Sequence, residues 1–288
     1  MGTFVTVIVV CPDPEQAKHS VDMAFREIQR VADLMNVRKA DSEVSQLNRN
    51  GFHDHLSSDT RTVIQRANYF SELSGGAFDL TVLPLLSLWE NHAARHSVPN
   101  EEELSRALEL VDYRNIKIHD KHVSFAKEGM GITLAGIAKG YAVDRAIEVL
   151  RQNGIRRALV NGGGDIRTLG RKTDNQPWDI GLLDPRSKSA FLTRIQLSGQ
   201  AIATSGAYRR SLNDLLDPRS GKPARDVISS TIVTGRAMDA DVLATAFLVL
   251  GSTDGMALLN RFGGAEALYV TKEGYFFRNG SEGVGTHD

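Results

Sequence analysis

The sequence predicts an α+β fold, with mixed or antiparallel sheets and flanking helices in two intertwined lobes. Strand-like and helix-like segments alternate along the chain without the regular spacing of βαβ units, which disfavours a doubly wound parallel sheet. No Pro- or Ser-rich linker divides the 288 residues, so residues 1–288 read as one compact unit. Two runs at 116–118 and 122–125 also face each other about His119-Asp120-Lys121, the pattern of an antiparallel hairpin.

The elements follow in order. Residues 3–10 are rich in β-branched side chains and read as a strand. Glu15 to Met35 carries Val21, Ala24, Phe25, Ile28, Val31 and Ala32 at helical spacing, one apolar side of an amphipathic helix. A second helix at 59–74 ends on Ser74-Gly75-Gly76, and a third at 100–110 is announced by Pro99-Asn100 and the acidic Glu101 to Glu103. A helix from about Gly136 to Gln152 stops at Asn153-Gly154, where glycine supplies the left-handed cap. The buried strand Ala158-Leu159-Val160 then runs into Asn161-Gly162-Gly163-Gly164-Asp165. Strands are expected at 178–183, 191–197, 200–204 and 227–234, then a helix at 239–250 stopped by Gly251. A helix at 254–262 and strands at 266–271 and 274–278 close the chain.

Composition narrows the function classes. Lys and Arg number 34 against 35 for Asp and Glu, so net charge gives no argument for nucleic acid or an anionic membrane. Cys11 is the only cysteine, which rules out an intrachain disulfide. No uninterrupted apolar run reaches the roughly 18 residues of a membrane span. Met1 to Val10 lacks the basic region and small-residue cleavage site of a signal peptide, so the sequence as it stands reads as cytoplasmic. The string Leu-Leu-Asp-Pro-Arg-Ser occurs at 182–187 and again at 215–220, either a repeated strand-plus-turn or a coincidence of composition.

Met238 to Thr245 is the string with the most chemistry. It opens a helix, so Asp241 and Thr245, four residues apart, share one face. Two hard oxygen donors suit Mg²⁺, which takes few protein ligands and fills its shell with water and phosphate oxygens. An Asp N-cap beside a Thr bonded to its own backbone fits the same string. Lys139 falls in the first turn of its helix, where a cation is mildly unfavourable unless it meets an anion. The Gly-rich 161–165 segment suits either a phosphate cradle or a tight turn. Gly131 to Gly136 has Walker-like glycine spacing, but Ile137 stands where lysine is required, so it is not a P-loop. The eight histidines lack metal-ligand spacing; His92 and His96 share a face only if 91–96 is helical.

Taken together, these strings resemble the ApbE family, the FAD:protein FMN transferases. Met1-Gly2-Thr3-Phe4 resembles the family's opening motif, and Asp41-Ser42-Glu43-Val44-Ser45-Gln46-Leu47-Asn48 its next segment. Gly76-Ala77-Phe78-Asp79-Leu80-Thr81-Val82 with Pro84, Leu85, Leu88 and Trp89 is similar to a third. Gly136 to Asp144, Asn161 to Ile166, Ala203-Thr204-Ser205-Gly206, Asp217 to Gly221 and Ala240 to Thr245 complete the set in the family's order.

The resemblance implies that FAD binds between the lobes with Mg²⁺ on its pyrophosphate, and that a Thr or Ser hydroxyl of a target flavoprotein attacks the FMN phosphorus. AMP leaves and FMN stays attached through a phosphoester. It implies Asp241, Thr245 and the backbone carbonyl near Gly136 as Mg²⁺ ligands. Met1, Arg38, Ala77, Phe78, Asp79, Thr133 and Lys139 would line the FAD site, with Leu215 against the flavin and Asp214 and Lys139 as the catalytic pair. Two positions depart from the family pattern: Thr133 stands where Asp is usual, and Asp214 where His is usual. An unperturbed carboxylate, with a pKa near 4, is the weaker base at neutral pH. Two alternatives follow: an FAD pyrophosphatase that uses water as acceptor, and a non-catalytic FAD-binding protein. Many relatives are exported or lipid-anchored, so the resemblance also allows such a protein with its leader trimmed.

Overall fold

The structure is a computed structural model and describes residues 2–187, 189–206, 215–224, 226–274 and 276–278. In chain order its elements are β1 (Val5–Val9), α1 (Pro14–Met35), α2 (Glu43–Asn50), β2 (Phe52–His53), α3 (Ser58–Leu73), α4 (Leu83–Ala94), α5 (Glu101–Leu108), β3 (Ile116–His119), β4 (His122–Phe125) and α6 (Ala138–Gln152). They continue as β5 (Ala158–Gly162), β6 (Asp165–Leu169), β7 (Trp178–Leu183), β8 (Phe191–Leu197), β9 (Ala201–Gly206), β10 (Val227–Thr234), α7 (Ala237–Phe262), β11 (Glu266–Thr271) and β12 (Phe276–Arg278).

The α+β expectation holds, and every strand pairing among the described residues is antiparallel. A seven-stranded sheet in the order β1-β5-β6-β9-β10-β11-β12 forms the centre, with a three-stranded β2-β4-β3 sheet and the β7-β8 hairpin beside it. One face of the large sheet meets α6 and α7, and α1 lies along α6; Ala24, Ile28, Val31, Ala142, Ala146, Leu243, Phe247 and Ile232 fill this layer. The other face packs Leu159, Ile166, Ile202, Val233 and Leu268 against Trp178, Leu182, Ile195 and Leu197 of the hairpin. Burial of that apolar surface is the main force holding the layers together.

Local chemistry explains the boundaries. Asp13 caps α1 by accepting from the Glu15 and Gln16 N–H groups, and Pro14 occupies the first turn, where no N–H is needed. Phe25, expected on the apolar side, is exposed instead: it stands about 100° from Ala24 around the helix. The Gly-rich segment after β5 is a hairpin turn. Gly163 and Gly164 take φ of 68° and 106°, and the Asn161 side chain accepts from the Gly164 N–H. It leads straight into β6, a strand the sequence reading left out.

Three further elements escaped that reading. α2 is short and polar, and is fixed by its Ser42 cap and by Gly51 in the left-handed region. α4 starts at Leu83 with Pro84 in its first turn and no side-chain cap, and β2 is only two residues long. α4 ends at Ala94 and His96 has φ of 53°, so His92 and His96 share no helix face. His92 instead meets Ser97 and Glu103.

The repeated hexapeptide builds the same turn twice. Asp184 and Asp217 each accept from the backbone N–H and the guanidinium of the arginine two residues on, at 2.8–2.9 Å. The expected helices at 239–250 and 254–262 are both present within α7, which is two helices joined across a kink at Gly251, whose φ of 79° and ψ of −177° are not helical. α7 is long and apolar enough by composition to cross a membrane, although polar residues interrupt every apolar run in it. It is packed against β9, β10 and α6, so its apolar character belongs to the core.

Candidate active site

The site is built where α6 and α7 cross. Their starts run past one another in one-turn steps: Gly136 lies against Thr245, Gly140 against Asp241, and Asp144 against Ala237 and Met238. Glycine makes the approach possible. A Cβ on Gly140 would stand 2.2 Å from the Ala237 carbonyl oxygen, so no other residue fits there. The Asp144 carboxylate accepts from the Ala237 and Met238 N–H groups at 2.9 and 3.0 Å, and Arg167 donates to it at 2.7 Å. α7 has no cap of its own at Arg236, so this carboxylate from α6 caps it. Asp241 is the fifth residue of α7, and the N-cap alternative for it does not hold.

Asp241 is buried and divided between two partners. Its Oδ2 accepts from the Gly140 N–H at 3.2 Å, and its Oδ1 is 3.4 Å from Lys139 Nζ. Lys139 also pairs with Asp165 at the start of β6. Burial pushes the Asp165 carboxyl well above the usual range; the charge of Asp241 adds to this and Lys139 opposes it. Thr245 Oγ1 is 3.1 Å from Ser205 Oγ on β9, so its hydroxyl is bonded to the sheet.

Phe78 closes the near wall. A Cβ on Gly136 would stand 3.1 Å from the Phe78 ring and 3.6 Å from Thr245 Oγ1, so backbone, ring and hydroxyl converge there. The segment 131–136 is held from both sides. Asn48 of α2 exchanges two 2.8 Å hydrogen bonds with the Ile132 backbone, and the Thr133 N–H donates to the Leu80 carbonyl at 2.8 Å. Ala77, Phe78 and Asp79 are all buried. The Asp79 carboxylate accepts from the Thr81 N–H, the Thr81 hydroxyl and the Tyr113 N–H, and it ties this loop to the turn before β3. Burial raises its pKa against those bonds.

The loop that carries Leu215 is anchored on α4 and α5. Leu216 packs with Leu85 and Leu104, and the Trp89 indole donates to the Gly221 carbonyl at 2.8 Å. Arg219 of the same loop lies against Gly76, which brings the loop up to the Ala77-Phe78-Asp79 segment. At the other edge, the Thr3 side chain sits on Gly163, and the Gly163 N–H donates to the Phe4 carbonyl at 3.1 Å. The chain start thus lies two residues from Asp165.

The expected site residues therefore separate into groups. Phe78, Gly136, Lys139, Asp241 and Thr245 come together; Ala77, Asp79 and Thr133 belong to the segments that wall them, and Leu215 is buried in the adjoining loop. Arg38 is exposed in the turn after α1, its N–H bonded to Asn36. Met1 and Asp214 lie outside the described residues. Sequence reasoning assigned no role to Gly140, Asp144, Asp165 or Ser205, although each sits inside a quoted motif. Their partners are 23 to 101 residues away, and no local pattern reports such distances.

Among the described residues no group of three or more His, Cys, Asp or Glu side chains gathers to hold a metal. A cation here would rest on one carboxylate, one hydroxyl and a backbone carbonyl. That donor set suits Mg²⁺ carrying water and phosphate oxygens, and the close approach of Gly136 to Thr245 fits it. An open cavity of about 490 Å³ at Gly2–Val5 and Ile28, Gln29 and Ala32 is lined by none of the converging residues, so it is separate from this site.

Comparison with known proteins shows the family and the fold. The profile of the ApbE family matches residues 1–269. The FAD:protein FMN transferase of Klebsiella pneumoniae (strain 342) is 33% identical over 261 residues, covering 86% of this chain and 81% of that protein. That of Treponema pallidum (strain Nichols) is 30% identical over 299 residues, covering 94% and 82%. Among solved structures, the ApbE protein of Thermotoga maritima superposes with a TM-score of 0.88 at 33% identity, covering 97% of this chain and 94% of that one. The flavin transferase ApbE of Vibrio cholerae gives 0.84 at 30% identity, covering 98% and 94%.

Proposed function

Since this chain belongs to the ApbE family, we propose that it is a Mg²⁺-dependent FAD:protein FMN transferase that attaches FMN to a Thr or Ser hydroxyl of a target flavoprotein and releases AMP. The observation that carries this reading is the convergence of Asp241, Thr245 and Gly136 with the ammonium of Lys139 beside them. Residues 1–288 act as one catalytic unit in this reading.

The bond made is between the acceptor oxygen and the FMN phosphorus, and the bond broken is the P–O bond to AMP. The acceptor loses its proton and AMP departs with the bridging oxygen and its electron pair. Asp241, Thr245 and the carbonyl near Gly136 would hold Mg²⁺, which would supply charge stabilisation on the diphosphate. Lys139 is held in the site by Asp165 and brings a positive charge to the same phosphate oxygens. Phe78, packed at Gly136, keeps one wall apolar and excludes water there. Met1, Arg38, Ala77, Asp79 and Thr133 line the FAD site in this reading, with Leu215 against the flavin.

Asp214, where the family usually has histidine, is assigned to take the acceptor's proton. Thr133 in place of the usual aspartate removes one negative charge from a site that binds an anion. These departures favour a second reading, in which water replaces the acceptor hydroxyl and the products are FMN and AMP.

Incubation with FAD, MgCl₂ and a flavoprotein acceptor, followed by mass spectrometry of the acceptor and chromatography of nucleotides, separates the outcomes. Transfer predicts an FMN mass increment on the acceptor and an equal amount of AMP. AMP without an increment supports the hydrolytic reading, and FAD retained with no AMP supports a non-catalytic binding protein. Asp241→Asn is expected to abolish AMP release with little loss of folding stability in metal-free buffer.

A further inference from the structure

Thr245 must do something a helical threonine does not usually do. Its hydroxyl has one proton, and in a helix that proton is ordinarily donated to the carbonyl a turn earlier. The hydroxyl keeps two lone pairs wherever its proton goes, and a proton directed away from the Gly136 side turns them toward a cation there. The Ser205 Oγ, 3.1 Å from Thr245 Oγ1, stands in the right place to receive that proton.

Ser205 is well placed for this. It lies on β9 facing α7 and is 9% exposed, so water competes little for the bond. Its register partner on β10 is Ser230, fully buried, and paired positions point to the same face of a sheet. Among the described residues the Ser230 hydroxyl has no hydrogen-bond partner. A buried hydroxyl without a partner is costly, and this one stands beside Ser205 on the same face of the sheet.

We infer that Ser205 is a positioning residue for the metal site. It accepts the Thr245 proton and so turns the threonine lone pairs toward the cation, with the buried Ser230 hydroxyl beside it on the same face of the sheet. The inference rests on the Mg²⁺ assignment made above. Partners of metal ligands act in this way in general, and their loss weakens metal binding about 10-fold to 100-fold.

The test is calorimetric titration of MgCl₂ into the full-length chain, for wild type, Ser205→Ala, Ser205→Thr, Thr245→Val and the Ser205→Ala/Thr245→Val double variant. Ser205→Ala is expected to weaken Mg²⁺ about tenfold, while Ser205→Thr, which keeps the hydroxyl, retains wild-type affinity. Thr245→Val weakens Mg²⁺ at least as much, and the double variant is no weaker than Thr245→Val, because Ser205 acts only through Thr245. In parallel, the Mg²⁺ concentration for half-maximal AMP release rises in Ser205→Ala while the rate at saturating Mg²⁺ stays the same. Equal affinity of Ser205→Ala and wild type, or additive losses in the double variant, overturns the inference. So does Ser205→Thr failing as badly as Ser205→Ala. If the wild type takes up no Mg²⁺, the metal assignment itself fails, and this inference with it.

Discussion

The Gly140 backbone presses against Ala237 so closely that a Cβ would stand 2.2 Å from the Ala237 carbonyl oxygen. The same glycine donates its N–H to Asp241. One residue therefore sets the separation of α6 and α7 and holds the carboxylate that the helix crossing presents. Helices that approach this closely cannot absorb a methyl group by rotating a side chain, since the obstacle is backbone. Gly140→Ala is expected to push α7 away, at a cost of about 3 kcal/mol or more. The melting temperature should fall, and Mg²⁺-dependent AMP release should be lost even well below the new midpoint. A variant with wild-type turnover would show that the crossing distance does not position Asp241.

Asp144 gives a different kind of prediction. Its carboxylate satisfies two N–H groups at the start of α7 and neutralises Arg167 in a largely buried setting. Asp144→Ala removes the cap and leaves the guanidinium without its counter-charge. A lost cap costs about 1 kcal/mol and a broken buried pair about 3–5 kcal/mol, so a total near 4–6 kcal/mol is expected in denaturant melts. In Asp144→Ala/Arg167→Met the counter-charge problem disappears and about half of that loss should return. If the double variant is no more stable than the single one, the pairing contributes little.

The Leu215 loop is tested through its anchor. Trp89 donates to the Gly221 carbonyl, and Leu216 fills the Leu85–Leu104 cluster. Trp89→Phe keeps most of the apolar contact and removes the hydrogen bond, worth about 1 kcal/mol. FAD affinity, followed by quenching of flavin fluorescence, should drop several-fold while the melting temperature moves little. An unchanged affinity would mean that the loop's packing suffices to place it.

How much of this was legible beforehand depends on range. The α1 stripe apart from Phe25, the Asn153-Gly154 stop, the 116–125 hairpin and the strand before Asn161 are set by local periodicity and turn chemistry, and the structure has them. α2 and α4 were not legible as helices, because Ser42 and Pro84 are modest start signals and what holds these helices is tertiary: Asn48 on Ile132, Leu85 on Leu216. At the site, Asp241 and Thr245 could be paired from spacing alone. The roles of Gly140, Asp144 and Asp165 could not, because each depends on which helix turn meets which strand end. Asp241 as an N-cap was a reasonable reading of the string, and it fails because the cap comes from another helix.

The last prediction concerns acid stability and lies away from the site. Glu27 on α1 is bonded to Arg30 and to Arg145 of α6; Arg30 also meets Asp59, which accepts from the Tyr141 hydroxyl. This network ties α1, α3 and α6 together. The Arg30 hydrogen bonds, helped by Arg145, hold the Glu27 carboxyl down to about 2, against the burial that opposes them. A carboxylate whose folded pKa lies below its unfolded value near 4.5 adds stability that is complete above pH 4.5. That stability drains away as the pH falls from there toward 2. The guanidinium of Arg30 is part exposed, so solvent screening leaves about 1–2 kcal/mol of it. Urea melts at pH 7 and pH 3 should therefore show a smaller loss on acidification for Glu27→Gln than for wild type, because glutamine has no proton to gain. If both proteins lose stability equally over that interval, other carboxylates carry the acid sensitivity and the Glu27 network does not.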